Sequence, residues 1–408
     1  MRAKRALIQG INFSPERTGM GKYTAEMVDY MAQQEIECVV VTSYPFHPEW
    51  KVQPPYKNNS YVKEVSNNGL LTVYRCPMYI PANPTGITRI LQETSFIASS
   101  SLILLKLLFN KRFNVYIIIS PPFYLGLVAI AFRFFSKTKI IYHIQDLQVD
   151  LASKLNLIKN EKIISIMFKI EKYILGKVDY VSTISEGMIR KIKIKRNVNV
   201  INFPNWVNTD QFFPIENTSL LKQKWKFSES DFLVMYSGNL GEKQGLELIL
   251  EVALKFYPVK RVKFIICGNG AYKIRLIEQA IKLNISNVYF LPLQPEEDFN
   301  NFLNIADVHL IIQKNTAADL VMPSKLTTIL AVGGNIIATA DPLTTLHDVI
   351  KDNEIGVIIK PDNVNELYDA ILEYSKRPVN KFIKARNYAL KHLSVNNIMA
   401  KFLKDIDL

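Results

Sequence analysis

Residues that build covalent or metal-bound frameworks are scarce in this 408-residue sequence. The three cysteines, Cys38, Cys76 and Cys267, form no CxxC pair, so neither a disulfide framework nor a zinc site is predicted, and a reducing cytoplasm is favoured. Internal repeats and low-complexity tracts are missing too, and nothing in the sequence suggests disorder. Apolar residues make up 48% of the chain, enough for large cores, and the length suits two domains of about 200 residues each.

Long apolar runs are also lacking. The basic N-terminus is followed by an apolar run of only Ala6–Ile8, which does not have the form of a signal peptide. A membrane-spanning helix needs about 20 apolar residues. Residues 96–113 are interrupted by Lys106, and residues 115–135 by a Ser-Pro-Pro sequence. No helix that crosses a bilayer is therefore predicted.

Positive charge is confined to the first half of the chain. Residues 1–200 contain 27 Lys and Arg against 14 Asp and Glu, whereas residues 201–408 contain 23 of each. This asymmetry predicts that one domain meets an anionic surface or ligand. Residues 102–113 and 151–200 combine lysines with apolar side chains, as helices lying on anionic lipid do. A core helix with a solvated edge is the alternative for each segment.

Short apolar runs alternate with helical patterns along the chain, which predicts parallel strands joined by crossover helices. The predicted strands cover residues 6–9, 39–42, 115–119, 139–143, 180–184 and 198–203, and then 232–236, 262–267, 288–291, 308–312, 336–339 and 356–359. A segment rich in proline and asparagine, residues 202–214, separates the two series. We expect two doubly wound α/β domains, with a ligand in the cleft between them at the carboxyl ends of both sheets.

The most informative segment is Tyr236–Gly245, with the sequence YSGNLGEKQG, between an apolar and an amphipathic run. This order predicts a strand, a glycine loop and a helix. A glycine lets backbone N–H groups approach an anion closely, and the lysine adds a mobile cation. Gly238, Asn239 and Lys243 are therefore predicted to hold a phosphate ester, with a nucleotide diphosphate as the leading candidate.

Two other turns have weaker phosphate signals. Gly19, Met20 and Gly21 lie between a strand and a helix and would make a second phosphate contact, although the pattern is not GxGxxG and an ordinary turn has the same form. Ser324 and Lys325 begin a later helix and would hold a phosphate through the hydroxyl, the helix N–H groups and the ammonium. Simple N-capping by the serine is the alternative.

Polar residues also follow two other strands. His143 and Asp146 come just past a buried strand, a location that favours function over packing. A hydrogen-bonded core histidine is the alternative. Gly268, in the sequence CGNG, is typical of a common turn.

Seven segments together resemble glycosyltransferase family 4 in their order and spacing: TGMGKY, HIQD, VSTISEGM, FPNWVNTDQFFP, YSGNLGEKQGLE, CGNG and MPSKLTTILAVGG. Within that family the chain is similar to bacterial colanic-acid biosynthesis enzymes of fucosyltransferase type and to amino-sugar transferases of capsule and O-antigen assembly. The resemblance implies the GT-B fold of two Rossmann-like domains, a GDP- or UDP-linked sugar as donor, transfer with retention of configuration, and no cofactor or metal ion.

Domains and partners follow from the same resemblance. Residues 1–204, with a returning C-terminal helix at 385–408, would bind the acceptor, and residues 205–384 would bind the nucleotide sugar. The implied acceptor is a polyprenyl-diphosphate-linked saccharide. The implied enzyme is cytoplasmic and peripheral at the inner face of the membrane, where it moves fucose or a related deoxy or amino sugar.

The resemblance also implies roles for single residues. His143, with Asp146 orienting it, would position the transferred sugar. The other implied ligands are Gly19, Gly21, Gly238 and Lys243 for the diphosphate, and Gly268, Pro292, Leu293, Gln294 and Thr328 for the nucleoside.

Two departures from the family pattern affect the donor site. Asn239 and Gln244 stand where many members have Arg and Lys, with Lys243 one residue before the second position. The customary pair of glutamates is replaced by Leu320 and Thr328. Polar side chains at the start of the later helix would then take over contacts to the ribose.

Three other functions compete with sugar transfer. A nucleotide-sugar epimerase on the same fold would need no acceptor. A basic nucleic-acid-binding protein fits the charge, but aromatic residues are not interleaved with the lysine clusters and the phosphate loops would have no purpose, so no nucleic acid is predicted as partner. A catalytically silent subunit is suggested by the missing glutamate pair.

Overall fold

The computed structural model describes residues 4–16, 19–47, 49–82, 84–154, 158, 160–314, 323–342, 344–376 and 383–408, without the side chain of Lys243. The chain divides into two compact units. The first comprises Met1–Pro204 and Met399–Leu408, and the second comprises Asn205–Ile398.

The first unit is an α/β layer structure. Its strands are β1 Arg5–Gln9, β2 Glu37–Ser43, β3 Val62–Ser66, β4 Leu71–Cys76, β5 Val115–Ser120, β6 Lys139–Ile144, β7 Tyr180–Thr183 and β8 Val200–Asn202. Its helices are α1 Gly19–Gln33, α2 Gly86–Leu108, α3 Leu125–Ser136, α4 Gln148–Lys154, α5 Glu161–Leu175 and α6 Glu186–Lys195. Among the described residues the sheet order is β3-β4-β2-β1-β5-β6-β7-β8, and β3 alone is antiparallel to its neighbour.

The second unit repeats this architecture. Its strands are β9 Phe232–Ser237, β10 Val262–Cys267, β11 Val288–Leu291, β12 Val308–Ile311, β13 Ile336–Thr339 and β14 Val357–Ile359. Its helices are α7 Ser219–Lys224, α8 Glu247–Lys255, α9 Lys273–Lys282, α10 Glu296–Asn304, α11 Lys325–Ala331, α12 Thr345–Asp352, α13 Val364–Lys376, α14 Ile383–Tyr388 and α15 Val395–Asp405, the last of which ends in the first unit. The sheet is parallel, in the order β11-β10-β9-β12-β13-β14.

Both faces of the second sheet are covered, as a parallel sheet requires. Successive side chains of a strand point to opposite faces. Leu233 and Met235 therefore pack in one hydrophobic core and Val234 and Tyr236 in the other. The predicted fold class of two doubly wound α/β domains is confirmed.

The returning C-terminal segment is shorter than the predicted 385–408. Ala385 in α14 and Ala389 just after it are fully buried in one core of the second unit, because both segments pack on α11. Residues 385–398 therefore belong to the second unit, and the segment that returns begins at Met399.

The last ten residues complete the core of the first unit. Phe402 stacks on Phe203, with ring centroids 3.8 Å apart. Asp407 accepts hydrogen bonds from Lys139 Nζ at 3.1 Å and from the Tyr180 hydroxyl at 2.8 Å. These contacts tie the end of the chain to β6, β7 and the segment after β8.

The sequence predicts that helix α2 does not span a membrane, because Lys106 interrupts its apolar run. Among the described residues, α2 is the one helix long and apolar enough to cross a membrane by length and composition alone. Core helices pass the same test, and here Phe96, Leu104 and Leu107 are buried on the inner face of α2, which contacts β2, β4 and α3.

Candidate functional site

Doubly wound sheets bind ligands outside the carboxyl ends of their strands, where the strand order reverses. In the second unit this point lies between β9 and β12. Two segments follow strands at this edge: the glycine loop, Gly238–Gly245, after β9, and the adjoining turn, Gly268–Gly270, after β10. Leu240 N donates to Asn269 O at 2.9 Å, which joins the loop to the turn.

The glycines of the adjoining turn are required by this close approach. A Cβ on Gly268 would lie 1.9 Å from the carbonyl oxygen of Gly238, and one on Gly270 would lie 2.3 Å from that of Leu240. Both glycines have φ of 153°, which other residues rarely adopt. The turn that the sequence indicates as ordinary thus fixes the backbone of the glycine loop.

A buried ammonium group faces the start of the glycine loop. Lys325 Nζ lies 3.4 Å from the ring centroid of Tyr236 and 2.9 Å from the position that a Cβ on Gly238 would occupy. The residue as a whole is partly exposed, but its Nζ is enclosed and has no hydrogen-bond partner among the described residues. Burial lowers the pKa of Lys325 to about 7. The Tyr236 hydroxyl donates to Asn239 O at 2.8 Å, which holds the ring against the loop.

A second lysine, which the sequence does not single out, approaches the end of the glycine loop. Lys314 follows β12, and a Cβ on Gly245 would lie 3.1 Å from its Cγ and 3.6 Å from Asp362 Oδ1. Lys314 is marked by its place three residues after a buried strand, at the reversal of strand order. The reversal of strand order can be recognised only once the order of strands in the sheet is known, so the sequence alone does not mark this lysine. Two lysines from the segment between β12 and the first residue of α11 thus lie against the two ends of one loop.

The other predicted diphosphate and ribose ligands have varied surroundings. Asn239 and Ser324 are exposed, and the Ser324 side chain makes no capping hydrogen bond. Thr328 is buried, and its hydroxyl donates to a carbonyl of its own helix at 3.1 Å. The side chain of Lys243 and all of Leu320 lie outside the described residues.

The predicted nucleoside contacts follow β11 at the same edge of the sheet. Gln294 Oε1 accepts from Trp225 Nε1 at 2.9 Å, and Gln294 Nε2 donates to Pro292 O at 2.8 Å. The Gln294 amide is therefore committed to contacts within the protein. The Leu293 side chain, which is exposed, is the apolar group that this edge offers to a base.

The predicted second phosphate contact lies at the start of α1 in the first unit. Gly19 is exposed with φ of 61° and open space around its Cβ position, and Met20 is partly exposed. Gly21 is buried, and a Cβ there would meet Glu16 Oε2 at 2.8 Å. Glu16 accepts two backbone N–H groups, at 2.9 and 3.0 Å. Contact with Glu16 therefore explains why residue 21 is a glycine. Gly19, by contrast, lies in an exposed turn of the kind that an anion would need.

His143 is a buried, neutral histidine at the end of β6. Its Nδ1 lies 3.0 Å from Ser182 Oγ, and its Nε2 lies 2.9 Å from Gln145 Nε2. An amide N–H donates, so Nε2 accepts and Nδ1 carries the proton given to Ser182. Burial lowers the pKa of His143 to about 3. Direct contact with a sugar would require the Gln145 side chain to move, whereas Asp146, in the following turn, is partly exposed.

A buried carboxyl that the sequence does not single out lies beside the end of β5. Gln148 Nε2 donates to Glu93 Oε1 at 2.7 Å, and Gln148 Oε1 accepts from Phe123 N at 2.9 Å. Desolvation raises the pKa of Glu93 to about 7. Its position within α2 gives no sequence signal that separates it from a surface acid.

Glu93→Gln should remove a pH-dependent loss of stability. The folded state holds the Glu93 proton up to about pH 7, whereas the unfolded chain releases it near the ordinary value of 4.5. The free energy of unfolding therefore falls as pH rises through this window, by about 2 kcal/mol. Urea denaturation of parent and variant at about pH 5 and pH 8 measures the difference. Glu278→Gln, an exposed acid, is the control, and an equal effect of Glu93→Gln at both pH values would contradict the assignment.

The cysteines and metal-binding residue types give no further site within the described ranges. Cys38, Cys76 and Cys267 are buried and unpaired, and burial raises the pKa of each thiol. The described residues contain no group of three or more His, Cys, Asp and Glu that would hold a metal ion.

Comparisons with known proteins identify the family of the chain. Residues 217–392 match the family described as glycosyl transferases group 1. The colanic acid biosynthesis glycosyl transferase WcaI of Escherichia coli K12 is 36% identical over 419 residues, which cover 98% of this chain and 99% of the relative.

Solved structures with low identity share the fold. Sucrose-phosphate synthase from Thermosynechococcus elongatus has a TM-score of 0.74 at 15% identity, covering 98% of each chain. HepE of Anabaena, solved in complex with UDP, has a TM-score of 0.71 at 12% identity, covering 99% of each chain. The GT-B fold implied by the sequence resemblance is thereby confirmed.

Proposed function

Because the chain belongs to the group 1 glycosyl transferases and is an enzyme of that family, we propose that it builds a bacterial surface polysaccharide of the colanic acid type. The donor is a GDP- or UDP-linked fucose or a related deoxy or amino sugar. The acceptor is a saccharide linked to polyprenyl diphosphate. The name of the E. coli relative supports the pathway, and the UDP in the HepE structure supports a nucleotide diphosphate as the donor's carrier.

The proposed reaction exchanges one bond at the sugar C1 for another. The bond from C1 to the diphosphate oxygen breaks, and its electron pair leaves with the diphosphate. The acceptor hydroxyl oxygen bonds to C1 on the same face, so the configuration is retained, and its proton passes to the leaving phosphate oxygen. No metal ion takes part in the proposed step.

The protein's contribution to this step is charge and position. Negative charge develops on the departing diphosphate, and backbone N–H groups of the glycine loop with the Lys325 ammonium would stabilise it. A donor aimed at such a charge typically lowers the barrier by about 3 kcal/mol. His143, neutral and held by Ser182, acts as a positioning residue through Gln145 rather than as a base.

The observation that carries the proposal is the enclosed Lys325 Nζ against Gly238, which has no hydrogen-bond partner among the described residues. Enclosing an amino group that no described residue neutralises is costly, so its position at a loop that suits anions favours an anionic ligand. The carboxyl edge of the sheet is also where doubly wound folds hold nucleotides.

Thermal stabilisation by GDP- and UDP-sugars, followed by transfer assays with and without EDTA, tests the proposal. We expect one nucleotide class to raise the melting temperature selectively and the product to keep the donor's anomeric configuration by NMR. Conversion of the donor without an acceptor would indicate an epimerase. Intact donors after incubation with lipid-linked acceptors would indicate a silent subunit and contradict the proposal.

The acceptor's lipid anchor requires contact with a membrane, and the first unit has a surface of suitable chemistry. Phe109 follows α2 and is 91% exposed, while Phe134 and Phe135 end α3 and are 84% and 73% exposed. Both helices lead into the parallel neighbours β5 and β6, so these side chains lie at one edge of the sheet. Exposed Lys111 and Lys137 stand beside them. We call Phe109, Phe134 and Phe135 the aromatic edge.

Replacing Phe134 and Phe135 with serine should weaken binding to anionic vesicles at least about tenfold, since each inserted aromatic ring is worth roughly 1.5–3 kcal/mol. Sedimentation with phosphatidylcholine vesicles, with and without phosphatidylglycerol, measures this. Leu220→Ser, an equally exposed apolar residue of the second unit, is the control and should bind as the parent does. Unchanged binding of the double variant would rule out the aromatic edge as the contact.

A further inference from the structure

The protonation state of Lys325 bears directly on how the donor site works. Its Nζ is enclosed, yet no described residue accepts a hydrogen bond from it and no described carboxylate pairs with it. The group that does contact it is the face of the Tyr236 ring, 3.4 Å from Nζ to the centroid. In the site without ligand, the described residues therefore offer the Lys325 amino group the face of an aromatic ring but no hydrogen-bond acceptor.

A π-face does not compensate for the loss of water around a full charge. A desolvated cation–π contact contributes about 2 kcal/mol, whereas enclosing an ammonium costs several kcal/mol even after relaxation. The balance favours the neutral amine, and burial accordingly lowers the pKa of Lys325 to about 7. An amine in this position is half protonated near neutral pH.

Among the described residues, the titratable groups on the strands and turns beside the glycine loop supply no counter-charge to Lys325, and desolvation is the cause of its pKa shift. On β9 the Tyr236 phenol is neutral, because burial raises its pKa, and it donates to Asn239 O. On β10 the Cys267 thiol is also neutral, since burial raises its pKa to about 11. At the far end of the glycine loop, Lys314 and Asp362 lie against Gly245. At the adjoining turn, Lys273 Nζ donates to Gly268 O at 3.1 Å.

We infer that the donor site binds its diphosphate together with a proton, which Lys325 takes from solvent as the anion arrives. The inference rests on the proposed function, because it takes the donor diphosphate to lie at Gly238. The anion supplies the counter-charge and the hydrogen-bond acceptors that Nζ lacks, and an opposite charge within about 4 Å strongly favours the charged amine. The bound state is then a salt-bridged ammonium, and the empty state above about pH 7 is mainly a neutral amine resting on Tyr236.

This arrangement explains why the amino group is enclosed beneath the glycine loop instead of being exposed on its surface. An exposed ammonium would attract any anion, whereas a neutral amine under the loop gains its charge only from a ligand that reaches Gly238. Affinity for the diphosphate should therefore decline as pH rises above about 7, because the proton becomes harder to supply.

Calorimetry and NMR test the inference separately from the proposed function. UDP-glucose and GDP-fucose are titrated into the protein in buffers of different ionisation enthalpy, which reveals any proton taken up on binding. The diphosphates of these ligands do not titrate near neutral pH, so the proton goes to the protein. We expect uptake of about 0.9 proton per site at pH 8 and about 0.1 at pH 6. In the ligand-free protein, the Lys325 ¹³Cε resonance, identified by its loss in Lys325→Arg, should titrate near pH 7 rather than near 10.5. Lys325→Arg keeps its charge, so it should bind without proton uptake.

The outcomes separate the two ideas. Binding of a nucleotide sugar with no proton uptake at pH 8, or a Lys325 midpoint near 10.5, overturns the inference and leaves the proposed function standing. Failure of both nucleotide sugars to bind, or equal binding by Lys325→Met and parent, overturns the proposed donor site itself. Lys351→Met, an exposed lysine on α12, should show the uptake of the parent.

Discussion

Replacing Lys325 with methionine should weaken donor binding roughly 100-fold while making the ligand-free protein more stable. Methionine reproduces the lysine chain as far as Cε and can lie on the Tyr236 ring, but it offers no charge to a diphosphate. Losing a charge-assisted contact to a phosphate accounts for the weaker binding. The gain in stability follows because the substitution removes an enclosed amine that has no hydrogen-bond partner in the described part of the chain.

The stability gain has a definite pH dependence. The folded-state pKa of Lys325 is about 7 and its ordinary value is 10.5, so folding expels a proton between these limits. The loss of stability caused by the lysine is complete below about pH 7, where it is on the order of 5 kcal/mol, and it disappears as pH rises towards 10.5. Lys325→Met should therefore raise the melting temperature by several degrees at pH 7 and by much less at pH 10.

Scanning calorimetry at the two pH values, paired with donor titrations, checks both effects. Lys351→Met removes an exposed lysine from the same unit and should change stability by less than about 0.5 kcal/mol. A Lys325→Met protein that is less stable than the parent at pH 7 would show that the ammonium is well solvated or paired in the folded protein.

Gly268→Ala should disrupt the donor site, because Gly268 lies against the backbone of the glycine loop. The new methyl group would lie 1.9 Å from the Gly238 carbonyl oxygen, and the backbone there has φ of 153°. Neither backbone segment can yield without moving the other, so we expect a loss of about 3 kcal/mol or more in stability and little remaining donor binding. The thermal transition of the protein and its affinity for the nucleotide sugar measure the two effects.

A glycine that also has a positive φ but no close neighbour provides the control. Gly69 has φ of 88°, and nothing lies within 4 Å of its Cβ position. Gly69→Ala therefore introduces backbone strain alone, about 1 kcal/mol, and should leave donor binding unchanged. If Gly268→Ala binds donor as tightly as the parent does, the contact between the adjoining turn and the glycine loop does not shape the site.

The predictable part of the fold is the part encoded in short stretches of sequence. Buried parallel strands have continuous apolar runs, and β5 was expected at 115–119 and lies at Val115–Ser120. The antiparallel pair β3 and β4 was missed because its signal is interrupted by charge. Arg75, near the end of β4, is buried against Glu64 of β3, with Nε to Oε1 at 2.7 Å. The pairing with Glu64, together with a hydrogen bond to Ser14 O at 2.8 Å, makes that buried arginine compatible with a strand.

The same distinction separates the predictable from the unpredictable parts of the site. The strand, loop and helix around Gly238 form one local segment, so residue types and spacing were enough to locate it. The enclosure of Lys325 on the Tyr236 ring depends on packing between distant parts of the chain. The burial of His143 behind Gln145 and the raised pKa of Glu93 also arise from tertiary contacts.

The stacking of Phe402 on Phe203 has a consequence for how the protein is made. A ribosome releases the first 204 residues long before it synthesises the ten that fill their core. The earlier unit therefore waits, with Phe203 not yet covered by Phe402, until residues 399–408 have been synthesised. Loss of the final helix by a premature stop codon would thus damage the first-made half of the enzyme, and chaperones would be needed most during that interval.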